Sequence, residues 1–457
     1  MKDRIKKYFE EHRQELLDCI ASLVEIPSVK GEAEQGKPFG AKPYEALCKA
    51  LEIAESFGFK TENLGYVGTV ETGEGEPELG ILAHLDVVPA GDGWHTDPFK
   101  MTVQDDNILG RGVSDDKGPA MCALFALKAV KDLEIPLKKN CRLIFGTDEE
   151  CGSSDIARYF STVKPPKYTF TPDANFPVTN GEKGRFAKKF FADVDLTNEK
   201  RTIASISAGT AANAVPGCAE AVLKEINEQE IKSAVTLSEN TGANFIVDGE
   251  KVICMGTGAH ASLPENGNNP ITALFEFLSH IDFDRKTNGF VFSLADLFPH
   301  GKWNGEAFGI DMEDKLGRLT MTLDVVRFDG EHFEGCFDAR TPMCATVENC
   351  AEKVKSRLEN YGFILENTDM IKPHYVEENS EFVKALLSAY EDYSGDKGEC
   401  VTMGGGTYVH NIESGVAFGG IARDLQTNMH GADEFMPVKD LLTAAEIFTQ
   451  VVINICG

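Results

Sequence analysis

The chain is short of several things. It has no run approaching the about 18 apolar residues of a membrane-spanning helix. Its opening stretch, MKDRIKKYFEEHRQELLDCI, is charged throughout and has no apolar signal core, so a cytoplasmic protein is expected. The 12 cysteines are scattered and never form Cys-x-x-Cys, which argues against a zinc-finger or thioredoxin-type site; reduced, mostly packed thiols are expected. Packing is also the simpler reading for Cys344 and Cys350, the nearest pair, and for Cys151. Basic residues are scarce, with 45 Lys and Arg against 73 Asp and Glu. The resulting net charge of −28 disfavours nucleic acid or an anionic membrane as partner. Most of that acidity reads as a solvated surface. No internal repeat or low-complexity linker is present. The glycine run GGGTYVH (404–410) is not followed by Lys-Ser/Thr, so it is not a phosphate-binding loop.

What is present fits a globular protein of 457 residues, 42% apolar and 26% charged, too long for one ordinary core. Apolar positions at helical spacing over 4–24 predict an opening helix, and a second is expected over 42–57. Strands are expected at 65–71, 79–88, 141–147 and 168–171, with an apolar helix from Pro119. Strands alternating with helices indicate an α/β layer with a mixed, mostly parallel sheet flanked by helices. Beyond Gly181 the texture changes to alternating strands, with helices near 227–238, 270–281 and 346–360, an α+β pattern. If His430 joins the early residues at one site, the first domain is discontinuous. It would comprise 1–182 and 376–457, with 183–375 inserted.

The chemistry-bearing residues fall at expected strand ends. ILAHLDVVPAGDGW carries His84 and Asp86, GRGVSDDKG carries Asp115 and Asp116, FGTDEE carries Glu149 and Glu150, TPDA carries Asp173, and MHGADE carries His430. Imidazoles among carboxylates are the donor set of a hard or borderline divalent cation. Taken singly, each has a plainer reading. His84 could be a satisfied core histidine, Asp115–Asp116 a helix cap, Glu149–Glu150 a solvated pair, and Asp173 a surface turn. Four strand ends carrying such residues in one α/β unit favour two metal ions sharing a carboxylate, with one glutamate left as base.

The ordered motifs HLDVVP, GRGVSDDKGP, GTDEE, TPDA, AHAS-PE, DARTP and HGADE resemble the M20 family of zinc peptidases across essentially the whole chain. The resemblance is greatest to its dipeptidase branch, the PepV-like and carnosinase-like enzymes. That resemblance implies that Asp115 bridges two ions, His84 and Asp173 completing one and Glu150 and His430 the other. It implies Glu149 as general base, Asp86 as the group orienting His84, and a cis peptide joining Asp115 to Asp116. It further implies that the inserted domain is a substrate-enclosing lid. His260 in GTGAHASLPENG would polarise the scissile carbonyl, while Asn213 in TAANAVPG and Arg340 in FDARTP contact substrate. Without the resemblance, His260 reads as a hairpin-edge histidine and Arg340 as a salt-bridge partner.

The implied chemistry is hydrolysis of a small peptide with free termini by a hydroxide held between two divalent ions, Zn in the first place with Mn or Co as alternatives. Arg340 is suited to clamp the terminal carboxylate. One departure from the family pattern is Val409-His410 after GGGTY, where a small and then a basic residue is expected. It leaves the substrate-end preference open at His410, while glycines 404–406, Gly405 among them, are expected to let backbone amides approach the substrate or the turn. A monomer is favoured, with a homodimer as alternative. The competing functions are an N-acyl or N-succinyl amino acid deacylase with the same metal chemistry, a silent binding protein on the same scaffold, and a cysteine-based site.

Overall fold

A computed structural model describes all 457 residues. The chain divides into two compact units, one of Met1–Gly181, Tyr375–Val401 and Gly406–Gly457, the other of Glu182–His374 and Thr402–Gly405. No helix is long and apolar enough to cross a membrane.

The first unit is built on a mixed sheet. In spatial order its strands run Lys60–Asn63, Gly68–Glu71, Asn140–Gly146, Pro77–His84, Tyr168–Thr171, Gly415–Phe418 and Val178–Glu182. The four central strands are parallel and the flanking pairs antiparallel. Parallel strands need crossovers, and the residues that follow them collect at one sheet end. Helix Lys117–Asp132 is buried on nearly every side, as its all-round apolar sequence requires, and the C-terminal helix Val438–Cys456 packs along it. Phe170, Phe176, Phe418 and Phe448 form an aromatic cluster beneath the sheet. Truncating the fully buried Phe170 to alanine would cost about 3–5 kcal/mol. The unit's interrupted chain is closed by two hydrogen bonds, from Val376 N–H to the Asn180 carbonyl (2.8 Å) and from Asn180 Nδ2 to the Val376 carbonyl (2.7 Å).

Three details differ from the sequence reading. The opening helix is two helices, Lys2–Glu11 and Arg13–Val24, broken at His12 (φ −103°, ψ 10°). The His12 ring bonds the Tyr8 carbonyl at 2.8 Å through Nδ1 and stacks on the Tyr8 ring, so its side chain competes for a helical acceptor. The strand expected over 79–88 stops at His84, so Asp86 lies past its end. The helix expected from Pro119 begins at Lys117, and the proline occupies its first turn, where N–H groups have no helical partner anyway.

The second unit carries an eight-stranded antiparallel sheet. Its order is Asn244–Asp248, Lys251–Met255, Cys218–Lys224, Thr202–Ala208, Thr320–Phe328, His332–Thr341, Gly184–Asp193 and Ile364–Leu365. Helices Glu228–Leu237, Pro270–Ser279 and Glu352–Glu359 match the expected segments, the last after a π turn at Val347–Ala351. A fourth, Arg285–Leu297, was not expected; its glycine and polar residues mask a buried stripe of Phe290, Val291, Leu294 and Leu297.

Candidate metal centre

The first unit brings the early carboxylates and both histidines to one end of its parallel strands. His84 ends its strand, Glu149 and Glu150 lie in the short turn after Asn140–Gly146, and Asp173 follows Tyr168–Thr171 by two residues. Asp115 and Asp116, joined by a cis peptide, precede the buried helix at Lys117. His430 arrives on a loop with its backbone in the left-handed region, φ 62°.

Asp115 lies between the two imidazoles. Its Oδ1 is 3.0 Å from His84 Nε2 and its Oδ2 is 2.8 Å from His430 Nε2. His84 Nε2 is also 3.7 Å from Asp173, and His430 Nε2 is 3.3 Å from Glu150. Donor atoms of His84, Asp115 and Glu150 fall within 4.8 Å of one another, and so do those of His84, Glu149 and Asp173.

The environment favours a cation between these groups. His84 Nδ1 faces the Asp86 backbone carbonyl at 3.0 Å, and a carbonyl only accepts, so Nδ1 carries the proton. In the neutral ring, Nε2 then points a lone pair at two carboxylates. A proton or a metal must occupy that space. With protons alone, His84 rises well above the usual imidazole range despite full burial, because Asp115 and Asp86 hold its charged form. His430 is pushed up to about 10 by hydrogen bonds to Asp115 and Glu150. Burial, and then the neighbouring carboxylates, raises Asp173 to about 7 and lifts Glu149 well above the usual glutamate range. The buried Glu150 Oε1 has no hydrogen-bond partner. The donor set fits one or two divalent ions of borderline type.

Asp86 does more than was expected of it. Its Oδ1 lies 3.5 Å from His84 Nδ1, while its two oxygens accept the backbone N–H groups of Glu149 (3.2 Å) and Glu150 (3.1 Å). It therefore fixes the glutamate turn as well as the histidine. Asp116 accepts the His84 backbone N–H at 3.1 Å. Tyr408 packs edge-on to the His84 ring and donates to Asp155 at 2.6 Å. Its hydroxyl occupies the space a side chain at Gly146 would need, with a Cβ there only 2.1 Å away.

The sequence reading missed Glu434 and Arg111. Both are buried; Glu434 ends the HGADE motif, and its carboxylate pairs with Arg111 Nη1 at 2.7 Å. Lys117 is fully buried as well and donates to the carbonyls of Leu23 (2.9 Å) and Ile26 (2.7 Å), tying the second helix to the site. In sequence only the adjacency of these residues to the motifs hinted at a role.

The second unit gathers His260, Asn213 and Arg340 into its own cluster. Ala214–Val215 pairs with Ala259–His260, and the Ala261 N–H bonds the Asn213 carbonyl, so Asn213 and His260 lie at one two-stranded ladder. The Ser262 N–H donates to His260 Nδ1 at 3.2 Å, and Ser262 Oγ lies 2.7 Å from the same nitrogen. An N–H can only donate, so Nδ1 accepts and Nε2 bears the hydrogen. Burial and the Arg340 charge lower the His260 pKa, favouring the neutral ring. Asp338 grips Arg340 through Nε (2.6 Å) and Nη2 (3.1 Å), and Arg340 Nη1 donates to the Gly404 carbonyl (2.6 Å). A Cβ at Gly404 would stand 2.3 Å from that of Ser262. Among glycines 404–406 the close approach is thus Gly404's, against Ser262. His410 is half-buried in the turn Tyr408–Asn411 of the first unit.

The model of Peptidase family M20/M25/M40 matches residues 80–454. "Putative dipeptidase YtjP" of Bacillus subtilis is 35% identical over 96% of this chain and 97% of its own. "Putative dipeptidase SH1171" of Staphylococcus haemolyticus is 33% identical over 99% of both. Among solved structures, the di-peptidase Dug1p from Saccharomyces cerevisiae aligns over 99% of each chain with a TM-score of 0.60 at 13% identity, a likeness of fold.

Proposed function

We propose, since the chain belongs to peptidase family M20/M25/M40, that this peptidase is a dipeptidase working with two divalent ions, Zn in the first place. The observation that carries the reading is the buried Asp115 carboxylate with an imidazole nitrogen on each oxygen, 3.0 Å and 2.8 Å away. Relatives named as dipeptidases along nearly their whole length support the substrate class. His84, Asp115 and Asp173 would hold one ion, and Glu150, His430 and Asp115 the other. When bound, the ions would supply positive charge that acidifies a water and polarises an amide carbonyl.

The chain's own residues do the rest. Glu149 lies in the cluster but in neither ligand set, and it takes the proton of the attacking water and returns it to the leaving amine. Asp86 keeps the Glu149 amide and the His84 ring in place. From the second unit, which we read as the substrate-enclosing lid, His260 offers its Nε2–H to the amide oxygen as a neutral donor. Arg340, held by Asp338 and the Gly404 carbonyl, would offer its remaining N–H groups to the terminal carboxylate. We assign Asn213 a further substrate contact, and Gly405 and His410 the substrate end. We read the protein as cytoplasmic, which suits its 12 unpaired cysteines, and as a monomer.

The test is hydrolysis of a dipeptide panel set against N-acetyl and N-succinyl amino acids, before and after chelation and with Zn, Mn or Co restored. Dipeptide hydrolysis abolished by chelator and recovered with metal is expected. Turnover of acylated amino acids alone would make the protein a deacylase, and turnover of neither would make it a binding protein.

A further inference from the structure

The two proposed ion positions are not anchored alike. His84 and Asp173 follow neighbouring parallel strands paired from Leu79–Tyr168 to Ile81–Phe170, so the sheet itself sets their spacing. His430 lies outside any strand, on a loop. That loop runs into the short strand Phe435–Pro437, paired with Asn107–Leu109, and a buried ion pair ties it further to the Asp115 side. The Glu434 carboxylate accepts five hydrogen bonds: Arg111 Nη1 at 2.7 Å, the N–H groups of Gly112 (3.0 Å), Ser114 (2.9 Å) and Asp115 (3.2 Å), and Ser114 Oγ (2.9 Å). The second Arg111 nitrogen, Nη2, donates to the carbonyl of Gly431, directly after His430, at 3.0 Å, and leans on the Ala90 carbonyl at 3.3 Å. The guanidinium also lies over the Trp94 ring.

A buried ion pair is poor value as a source of stability, because apolar residues of the same volume commonly do as well. Its distinguishing property is geometric. One carboxylate and one guanidinium, each with fixed directions, connect the amide of Asp115 to the carbonyl beside His430. We propose that Glu434 and Arg111 are positioning residues that set the distance from Asp115 to His430, and so selectively determine affinity at the ion position completed by His430 and Glu150. The inference rests on the two-ion reading above.

Chelator-competition titration of the metal-free full chain with Zn resolves the two stepwise dissociation constants. In Glu434→Gln the constant that is lost in His430→Ala should rise by about 10–100-fold, the usual effect of losing a partner behind a ligand, while the other stays within about threefold. Ser114→Ala, which removes only the hydroxyl bond to Glu434, should move that same constant alone, by about threefold or more, and carries the test if Glu434→Gln does not fold. Circular dichroism of the metal-free variants checks folding. A merely structural role predicts equal changes in both constants, or none, in folded variants, and either result overturns the proposal. If the unsubstituted chain takes up fewer than two ions, the two-ion reading falls and this inference falls with it; a change confined to the variants leaves that reading standing.

Discussion

The two units each hold a charged cluster, and they hold it by opposite means. In the first, carboxylates crowd around a buried imidazole, His84, and an exposed one, His430, and backbone N–H groups hold the carboxylates behind them. Asp86 takes the amides of Glu149 and Glu150, and Glu434 those of Gly112, Ser114 and Asp115. In the second, cations are fixed by acceptors: Arg340 by Asp338 and the Gly404 carbonyl, with Arg185 on the same carboxylate. The first arrangement leaves unpaired negative charge facing inward and attracts cations. The second gathers two guanidinium groups about one carboxylate, an excess of positive charge that suits anions. A peptide in hydrolysis needs both, cationic charge at the water and the amide and an anion receptor for its carboxyl end.

The comparison breaks most visibly if Glu149 is not the base. Glu149→Ala should keep its metal content and lose about 10²–10⁴ in kcat on a good dipeptide, read by turnover beside elemental analysis. Unchanged kcat removes the assignment. Next, Arg340→Met should lower kcat/KM about 10–100-fold on dipeptides with a free carboxylate and leave C-terminally amidated analogues nearly untouched, since a hydrogen bond to a charged group contributes about 1.5–3 kcal/mol. Equal losses on both would make Arg340 structural.

The clusters should also differ in pH response. His430 and His84, raised above the ordinary imidazole range, are protonated near neutrality without metal and must shed protons to ligate. Metal affinity should therefore weaken about tenfold per unit fall in pH for each displaced proton. Calorimetry in two buffers of different ionisation heat counts those protons, and zero release would contradict the ligand set. His260, lowered instead, should stay neutral over the same window and add no such dependence. The smallest effect is expected of Ser262→Ala. Losing one neutral hydrogen bond worth about 1 kcal/mol should lower kcat about fivefold with KM unmoved, and a change in KM alone would point to substrate binding.

Much of this was visible in the chain because ligands at strand ends sit in compact local motifs. The strand Tyr168–Thr171 falls where its apolar run and turn residues put it. The missed features are those whose cause is remote. Glu434 is recognised by amides some 320 positions earlier, and no spacing rule encodes that. Ser262 reads as one residue of a motif until its N–H is seen on the His260 ring. The helix break at His12 comes from a side chain bonding its own backbone, invisible to hydrophobic periodicity. Asp86 was placed on a strand by alternation, whereas its use at the glutamate turn depends on that strand having ended.

The reciprocal bonds between Asn180 and Val376 mean that the first unit is already stitched shut where its sequence is interrupted. For that unit the long excursion in between is a loop whose ends cost little more to hold than those of a much shorter one, since closure entropy grows only logarithmically. Bridging the two residues with a few glycines in place of the excursion should therefore yield a self-sufficient metal binder without a receptor for the peptide's end, a minimal scaffold on which other covers could be tried.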